Sequence, residues 1–317
     1  MLSAFVLESG QLERIIINTG KDLPEQAVWV DIVDPTDEEA NWIKILYHQK
    51  LPNESEVESI EATSRFYIDN DGIHINSSFL HDFEEYPQNV NVAFILNNNR
   101  LFTIHEVELT TFRLFRLRSR RQKFSQINTP QTIFLGLFEA KIDHVADVIE
   151  EMYATLEGIG KRVLGEEVHK DMESTITDLA KQEDLIGKVR LSILDQQRVL
   201  SVLQRQRTFD ETLVRDLRDI LQDIDSFSPH ISFLFDKINF LMDFALSLVN
   251  IQQNKIIKIF SVAAVIFLPP TMVGTIYGMN FEVMPELKWL GGYPFALFLM
   301  LLSALLPYWY FKQRGWL

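Results

Sequence analysis

Two long stretches near the C-terminal end of the chain contain no charged residue. One lies between Lys258 and Glu282 and the other between Lys288 and Lys312, and each is 23 residues long. A helix that crosses the hydrocarbon core of a bilayer needs about 20 apolar residues at a rise of 1.5 Å per residue. The pattern therefore predicts two transmembrane helices, at about 259–279 and at 293–311, rather than two buried helices of a soluble protein.

The charges that flank these spans predict their orientation. Basic residues stand before the first span and after the second, at Lys255, Lys258, Lys312 and Arg314. The loop between the spans, 281–292, holds two acidic residues and a single lysine. By the positive-inside rule both termini, including the basic tail 312–317, are cytoplasmic, and the loop is periplasmic. Residues 1–10 lack the apolar core of a signal peptide, which agrees with a cytoplasmic N-terminus.

Composition excludes several classes of function. The chain of 317 residues carries 44 acidic and 30 basic residues, a formal net charge of −14. This excess argues against nucleic acid as a partner and suits the attraction of cations. The absence of cysteine excludes disulfides and thiolate metal sites. Since the sequence also lacks a phosphate-binding loop, a zinc-spaced His cluster and a nucleophile elbow, we expect no enzyme and no catalytic residues.

The remainder of the chain divides into three parts. Strand-like segments at Ala27–Ile32, Gly72–Leu80, Asn89–Leu96 and Leu101–Ile104, with a capping box from Thr36 to Glu39, predict an α/β domain over 1–128. Region 129–216 is helical, with helices at about 130–165 and 171–206. A long helix then occupies 217–280 and includes the first span. Its roughly 60 residues would extend about 90 Å, so most of it projects beyond the membrane.

One stripe of this long helix is mostly polar or small. It repeats in alternating steps of three and four residues, the spacing of a coiled-coil seam, and comprises Asp236, Asn239, Asp243, Ser247, Asn250, Asn254, Ile257, Ser261, Ala264, Leu268, Thr271, Thr275 and Gly278. A polar stripe through a membrane span favours a helix that lines water. The alternative is close helix packing, which small residues also permit. Because two spans cannot enclose a pore, a water-lined stripe requires several copies in a ring.

The end of the first span carries a recognisable motif. Tyr277-Gly278-Met279-Asn280 is followed by Met284-Pro285-Glu286-Leu287. With the long helix, the two spans, the acidic loop and the basic tail, this resembles the CorA family of magnesium, cobalt and nickel channels over the whole chain. The resemblance implies an α+β membrane protein of the bacterial inner membrane. It would be a homopentameric funnel with a cytoplasmic α/β domain, long helices and two C-terminal transmembrane helices.

The resemblance also implies roles for single residues. Gly278, Met279 and Asn280 would form the pore mouth, where a ring of neutral amides holds the waters of a magnesium ion without stripping them. A helix C-cap is the alternative role for Asn280. Glu282 and Glu286 would concentrate cations outside the membrane. Thr275, Thr271, Leu268, Ile257, Asn254 and Asp243 would line the pore, the two apolar residues as constrictions that gate by dewetting.

In the family, magnesium bound between subunits in the cytoplasm closes the channel. Asp219 lies at the matching place on the long helix, and Asp82 is the predicted partner carboxylate. Magnesium would thus be both the transported and the regulatory ion. The alternative is that Asp219 and Asp82 are ordinary acidic residues of the surface. Two other functions stay open: a zinc transporter of the same superfamily, against which Met279 argues, and a membrane-anchored helical interaction protein without transport. The direction of transport is also open.

Overall fold

The computed structural model describes residues 1–8, 11–52, 65–81, 87–97, 99–121, 129–165, 172–205, 209–280, 282 and 284–316, with the backbone alone at 120 and 121. The chain separates into two compact units, Met1–Leu241 and Met242–Leu317. The first unit holds the sheet and most of the helical residues. The second holds the two apolar helical segments.

A seven-stranded mixed sheet forms the centre of the first unit. Its strands, in spatial order, are β2, β1, β3, β7, β6, β5 and β4. They span Leu2–Glu8 (β1), Gln11–Ile17 (β2), Trp29–Val33 (β3), Phe66–Ile68 (β4), Ile73–His81 (β5), Gln88–Leu96 (β6) and Leu101–His105 (β7). Strands β3 and β7 run parallel, whereas the other described neighbours are antiparallel. The four predicted strands are therefore present, with ends that differ by one or two residues.

Helix α1 (Asp37–Tyr47) covers one face of this sheet. Val30 and Ile32 of β3 point towards it and are fully buried in a core that includes Ile43 of the helix. The predicted capping box is confirmed. The Glu39 N–H donates to Thr36 Oγ1 at 3.2 Å, and the Thr36 N–H donates to the Glu39 carboxylate at 3.0 Å.

Three helices belong to the rest of the first unit: α2 (Thr110–Arg121), α3 (Pro130–Leu164) and α4 (Met172–Gln204). Aromatic rings fill the space between the second face of the sheet and α2 and α3. Phe79 of β5 lies 5.8 Å from Phe138 of α3, and Phe94 of β6 lies 5.3 Å from Phe134, as ring-centroid distances. These rings form edge-on pairs, the geometry that aromatic quadrupoles favour.

Helix α5 (Glu211–Tyr277) runs for 67 residues without interruption, through Pro229 and the pair Pro269-Pro270. It begins six residues before the predicted start at 217. The reason is local, since the side chain of Asp210 accepts a hydrogen bond from the Leu213 N–H at 2.8 Å and so caps the first turn. The last helix, α6 (Gly292–Gln313), contains Pro307 and is one residue longer at its start than expected.

Candidate functional site

The polar stripe of α5 lies on an exposed face of the chain. All thirteen of its members, from Asp236 to Gly278, are exposed. The neighbouring apolar stripe behaves in the opposite way, because Leu234, Ile238 and Leu241 are each no more than 2 % exposed. Between Leu234 and Leu241 the chain thus buries the apolar back of the helix and leaves the polar front uncovered.

Three hydroxyl groups on this stripe share one hydrogen-bonding pattern. Ser247 donates to the Asp243 carbonyl at 2.8 Å, Thr271 to the Phe267 carbonyl at 2.7 Å, and Thr275 to the Thr271 carbonyl at 2.8 Å. Each hydroxyl proton is therefore used inside the helix, and the lone pairs that remain on the oxygen act as acceptors. Waters around a dication present their hydrogens outwards, so such oxygens suit a hydrated cation.

Large apolar residues interrupt the polar stripe at two levels. The side chains of Ile257 and Leu268 are 54 % and 65 % exposed. Both are predicted to form constrictions, and exposed aliphatic groups in a row of polar ones are the kind of side chain that this prediction requires. Asn254 and Asp243, predicted to line the same pathway, are likewise exposed.

The chain makes a further turn after α5 and then leaves the helix. The Gly278 N–H donates to the Gly274 carbonyl at 3.0 Å, and the Met279 N–H to the Ile276 carbonyl at 3.2 Å. Met279 and Asn280 are exposed. The described residues with positive φ are Asp34, His48, Gly72 and Gly315. Asn280 therefore does not end α5 in the left-handed form in which Asn commonly caps a helix.

The loop after the motif brings two acidic groups to the surface. Glu282 and Glu286 are both exposed, and Glu286 lies in a short 3-10 turn, Pro285–Lys288. The Trp289 N–H closes this turn on the Glu286 carbonyl at 3.4 Å, and the Gly292 N–H donates to the Trp289 carbonyl at 3.0 Å at the start of α6. The turn therefore holds the Glu286 backbone close to the start of the second apolar helix at Gly292.

Helix α6 lies beside the apolar part of α5 in the same protomer. A Cβ placed on Gly274 would stand 3.5 Å from the Met300 side chain, which shows how close the helices run. At the other end, the Lys258 ammonium is 5.8 Å from the centre of the Trp316 ring. In the described part of the chain α5 and α6 are the two helices long and apolar enough to cross a membrane. Only 6 % of the most apolar 18-residue stretch of each helix is buried.

Of the two predicted regulatory residues, only Asp219 lies in the part of the chain that the structure describes. Asp219 is exposed on α5, whereas Asp82 lies outside the described residues. Among the residues that the structure describes, no group of three or more His, Cys, Asp or Glu side chains is arranged to hold a metal ion. The pairing of Asp219 with Asp82 stays a prediction.

Sequence reasoning missed one cluster of acids in the first unit. Partial burial raises the pKa of Glu139 on α3, whose side chain stays solvent-exposed, and so do the negative charges of Asp216, Asp143 and Asp223, while Arg118 acts in the opposite direction. Asp216 and Asp223 belong to α5, about 80 residues further along the chain. No local pattern could have signalled this meeting, since it depends on how α3 and α5 pack.

Comparison with known proteins decides the family. The family model described as CorA-like Mg2+ transporter protein matches residues 24–313. The chain belongs to the CorA family. Two CorA relatives, each named Magnesium transport protein CorA, come from Pasteurella multocida (strain Pm70) and Escherichia coli (strain K12). Each is 45 % identical to this chain over 318 residues, with 100 % of both sequences covered.

A solved CorA structure has the same fold. The complete structure of the CorA magnesium transporter from Methanocaldococcus jannaschii matches with a TM-score of 0.77 at 19 % identity, covering 100 % of this chain and 99 % of that one. The predicted fold class is thereby confirmed: an N-terminal α/β domain, long helices and two C-terminal candidate membrane helices.

Proposed function

We propose that this chain is the subunit of a homopentameric magnesium channel of the bacterial inner membrane, and that it carries magnesium into the cell. The observation that carries the proposal is the exposed stripe of α5, which is polar or small from Asp236 to Gly278 except at Ile257 and Leu268. A helix on a membrane anchor has no need of such a face in lipid, where exposed polar groups are costly. The names of the CorA relatives identify the ion.

In this proposal the ring of α5 helices encloses the pathway. The triplet Gly278, Met279 and Asn280 forms the outer mouth, and the amide oxygens of Asn280 accept hydrogen bonds from the waters of a hydrated ion. Neutral amides hold the ion weakly enough for it to leave, as conduction requires. Glu282 and Glu286 raise the local concentration of cations outside.

Below the mouth, acceptors and apolar constrictions alternate. Thr275 and Thr271 accept from the hydration shell, Leu268 and Ile257 form dry constrictions, and Asn254 and Asp243 line the cytoplasmic section. Cobalt and nickel pass by the same route, because both form octahedral hexahydrates of similar size. Met279 favours these ions over zinc.

Gating in this proposal depends on cytoplasmic magnesium. An ion between Asp219 of one subunit and Asp82 of its neighbour offsets the repulsion of the facing carboxylates and holds the ring closed. Loss of the ion lets the subunits separate, so that the fraction of open channels grows. Each ion that binds the closed ring more tightly than the open ring shifts the equilibrium towards the closed state, by an amount set by the difference in affinity.

The proposed topology follows the charge pattern. Both termini face the cytoplasm, with an α/β domain over 1–128 and a helical region over 129–216. The long helix 217–280 carries the first span, 281–292 forms the periplasmic loop, and 293–311 the second span. Lys255, Lys258, Lys312 and Arg314 then lie at the cytoplasmic surface.

The test is magnesium flux into liposomes that contain the purified protein and a magnesium-sensitive dye. Wild type is expected to conduct magnesium, with cobalt and nickel as slower ions. Asn280→Ala removes the amide ring, so magnesium flux is expected to fall at least about tenfold, the effect of roughly 1.4 kcal/mol lost at the mouth. The matched control is Asn41→Ala, an exposed asparagine of α1.

Three results would contradict the proposal in different ways. Normal magnesium flux through Asn280→Ala excludes the mouth assignment. Flux of zinc in preference to magnesium through wild type favours the zinc transporter. No flux of any ion from correctly inserted protein favours the membrane-anchored interaction protein. Protease protection of the cytoplasmic region by magnesium tests gating, and Asp219→Lys is expected to weaken that protection.

A further inference from the structure

A groove lies between α4 and α5 within the first unit. Its volume is about 260 Å³, and its walls include Leu194 of α4 and Phe235 of α5. Both are large apolar side chains that water still reaches, with 50 % and 37 % exposure. The polar part of the lining includes the carboxylates of Asp225 and Asp236 and one cation, Arg190 of α4. The groove therefore combines apolar walls with a net negative charge.

The opposite side of α5 presents an apolar surface with a positive charge, here named the aromatic flank: Phe233, Lys237 and Phe240. Phe233 and Phe240 are 53 % and 59 % exposed. Tyr153 of α3 stacks behind Phe233 at 5.8 Å, and the Lys237 ammonium is 6.0 Å from the centre of the Phe233 ring. Tyr153 thus packs against the inner side of the aromatic flank, and Lys237 places a positive charge at its edge.

The groove and the aromatic flank lie on opposite sides of the polar stripe. At about 100° per residue, Phe235 is about 100° from Asp236 in one direction, whereas Phe233 is about 60° from it in the other. A surface whose complement lies elsewhere on the same molecule makes a heterologous contact, which closes into a ring when the rotation permits. The polar stripe, between the two surfaces, would then face the axis.

We propose that the groove between α4 and α5 receives the aromatic flank of the next copy of this chain, with Phe233 against Leu194 and Phe235. Lys237 then meets the carboxylates of Asp225 and Asp236. The proposal rests on the proposed function, in which copies of the chain form a ring. It adds the surfaces through which neighbouring copies contact each other. Opposite charge at the edge of an apolar contact orients the two copies and excludes a reversed arrangement.

The absence of cysteine from the chain makes a clean cross-linking test available. The double variant Leu194→Cys/Phe233→Cys places one thiol at the groove and one on the aromatic flank. Oxidation of the detergent-extracted protein, or a short bis-maleimide, is expected to give a ladder of covalent multimers on a denaturing gel. Each single variant is expected to stay monomeric. The control pair Ile45→Cys/Phe233→Cys uses an exposed isoleucine of α1, 66 % exposed, and is expected to give no ladder.

A charge exchange gives a second measurement on the same double-cysteine background. Lys237→Glu brings a third negative charge to the acidic groove and is expected to lower the yield of the ladder about fivefold. Adding Asp225→Lys restores an opposite-charge pair and is expected to return most of the yield. Loss without recovery would contradict the proposed contact between Lys237 and the groove.

Native mass measurement separates failure of this proposal from failure of the proposed function. A cysteine pair that does not cross-link in a protein of oligomeric mass overturns the groove contact and leaves the ring intact. A monomeric mass for wild type overturns the ring itself. A covalent dimer from Phe233→Cys alone points to a two-fold contact between like surfaces and contradicts the heterologous arrangement.

Discussion

The ammonium of Lys141 on α3 lies 4.6 Å from the centre of the Phe79 ring on β5, inside the first unit. Its hydrogen bonds to Ser77 Oγ and to the Ser192 carbonyl are both long, at 3.4 Å. Burial lowers the pKa of Lys141 to about 8, although the charge of Asp195 acts in the opposite direction. Asp195 itself is held by Ser77 at 2.8 Å and by Arg65 at 2.5 Å.

This buried cation predicts a stability that rises with pH. Between about pH 8 and 10.5 the unfolded chain keeps a proton on Lys141 that the folded protein has released, so the free energy of unfolding increases with pH over that window. Lys141→Met is expected to remove this increase. The measurement is chemical unfolding of the detergent-solubilised protein at pH 7.5 and pH 9.5, followed by tryptophan fluorescence.

The control for Lys141→Met is Lys44→Met, at a lysine on the outer surface of α1. Its pH dependence is expected to match that of wild type. If Lys141→Met retains the full wild-type increase between the two pH values, the low pKa assigned to Lys141 is wrong.

The buried carboxylate of Asp31, which links β3 to β7, predicts a large loss of stability on neutralisation. His105 Nε2 lies 2.9 Å from Asp31 Oδ1, Thr103 donates to the same oxygen at 2.7 Å, and Arg116 approaches Oδ2 at 3.4 Å. Asp31→Asn keeps the shape but removes the buried charge from these contacts and leaves Arg116 with only the exposed carboxylate of Glu108. The expected cost is about 3–5 kcal/mol of unfolding free energy, measured by denaturant titration.

The pH dependence of that loss has a defined sign. Burial raises the pKa of Asp31, but the contacts with His105, Thr103 and Arg116 outweigh it, so the pKa is lower than its ordinary 3.8. The contribution of Asp31 is therefore present above pH 4 and disappears as the pH falls through the folded pKa. The difference between wild type and Asp31→Asn should narrow below pH 4, whereas Asp34→Asn, an exposed control, should differ little at any pH.

The acidic cluster predicts a stabilising substitution. Because burial and the carboxylates of Asp216, Asp143 and Asp223 raise the pKa of Glu139, its charged form is unfavourable at neutral pH and the penalty is relieved by protonation in acid. Glu139→Gln is expected to raise the melting temperature at pH 7.5, and the gain should shrink towards pH 4. A lower melting temperature at neutral pH would show that Glu139 is needed as a charge.

The hydroxyl groups of the polar stripe allow the role of the oxygen in magnesium flux to be distinguished from the role of side-chain shape. Thr275→Val keeps the volume but removes the exposed acceptor, and magnesium flux into liposomes is expected to fall about fivefold, the effect of one net hydrogen bond of about 1 kcal/mol. Thr275→Ser retains the oxygen and should conduct like wild type.

A serine outside the stripe provides the matched comparison for Thr275. Ser303 on α6 donates to the Met300 carbonyl three residues earlier at 2.8 Å, whereas Thr275 on α5 donates to the carbonyl four residues earlier at the same distance. Ser303→Ala is expected to leave flux unchanged. An equal fall for Ser303→Ala and Thr275→Val would indicate a general weakening of the helices and would contradict a role for the Thr275 oxygen in the pathway.

Local patterns predicted the strands and helices that have strong signals. The alternation at β5 and β6, the capping box at Thr36 and the proline at the start of α3 each place an element within two residues of its observed end. The hairpin of β1 and β2 was missed, because polar residues such as Glu8, Glu13 and Arg14 break its apolar alternation. Pairing to β3 in the sheet, which no local pattern reports, stabilises β1.

The sequence by itself determined the two apolar spans, the polar stripe and the family motif, because each depends on order and spacing along one chain. The tertiary structure decided which face of α5 is covered, since only packing against the rest of the first unit buries Leu234, Ile238 and Leu241 and leaves Asp236 exposed. It also decided the charges that meet across helices, as at Glu139. Those contacts depend on three-dimensional proximity between residues that are distant in sequence.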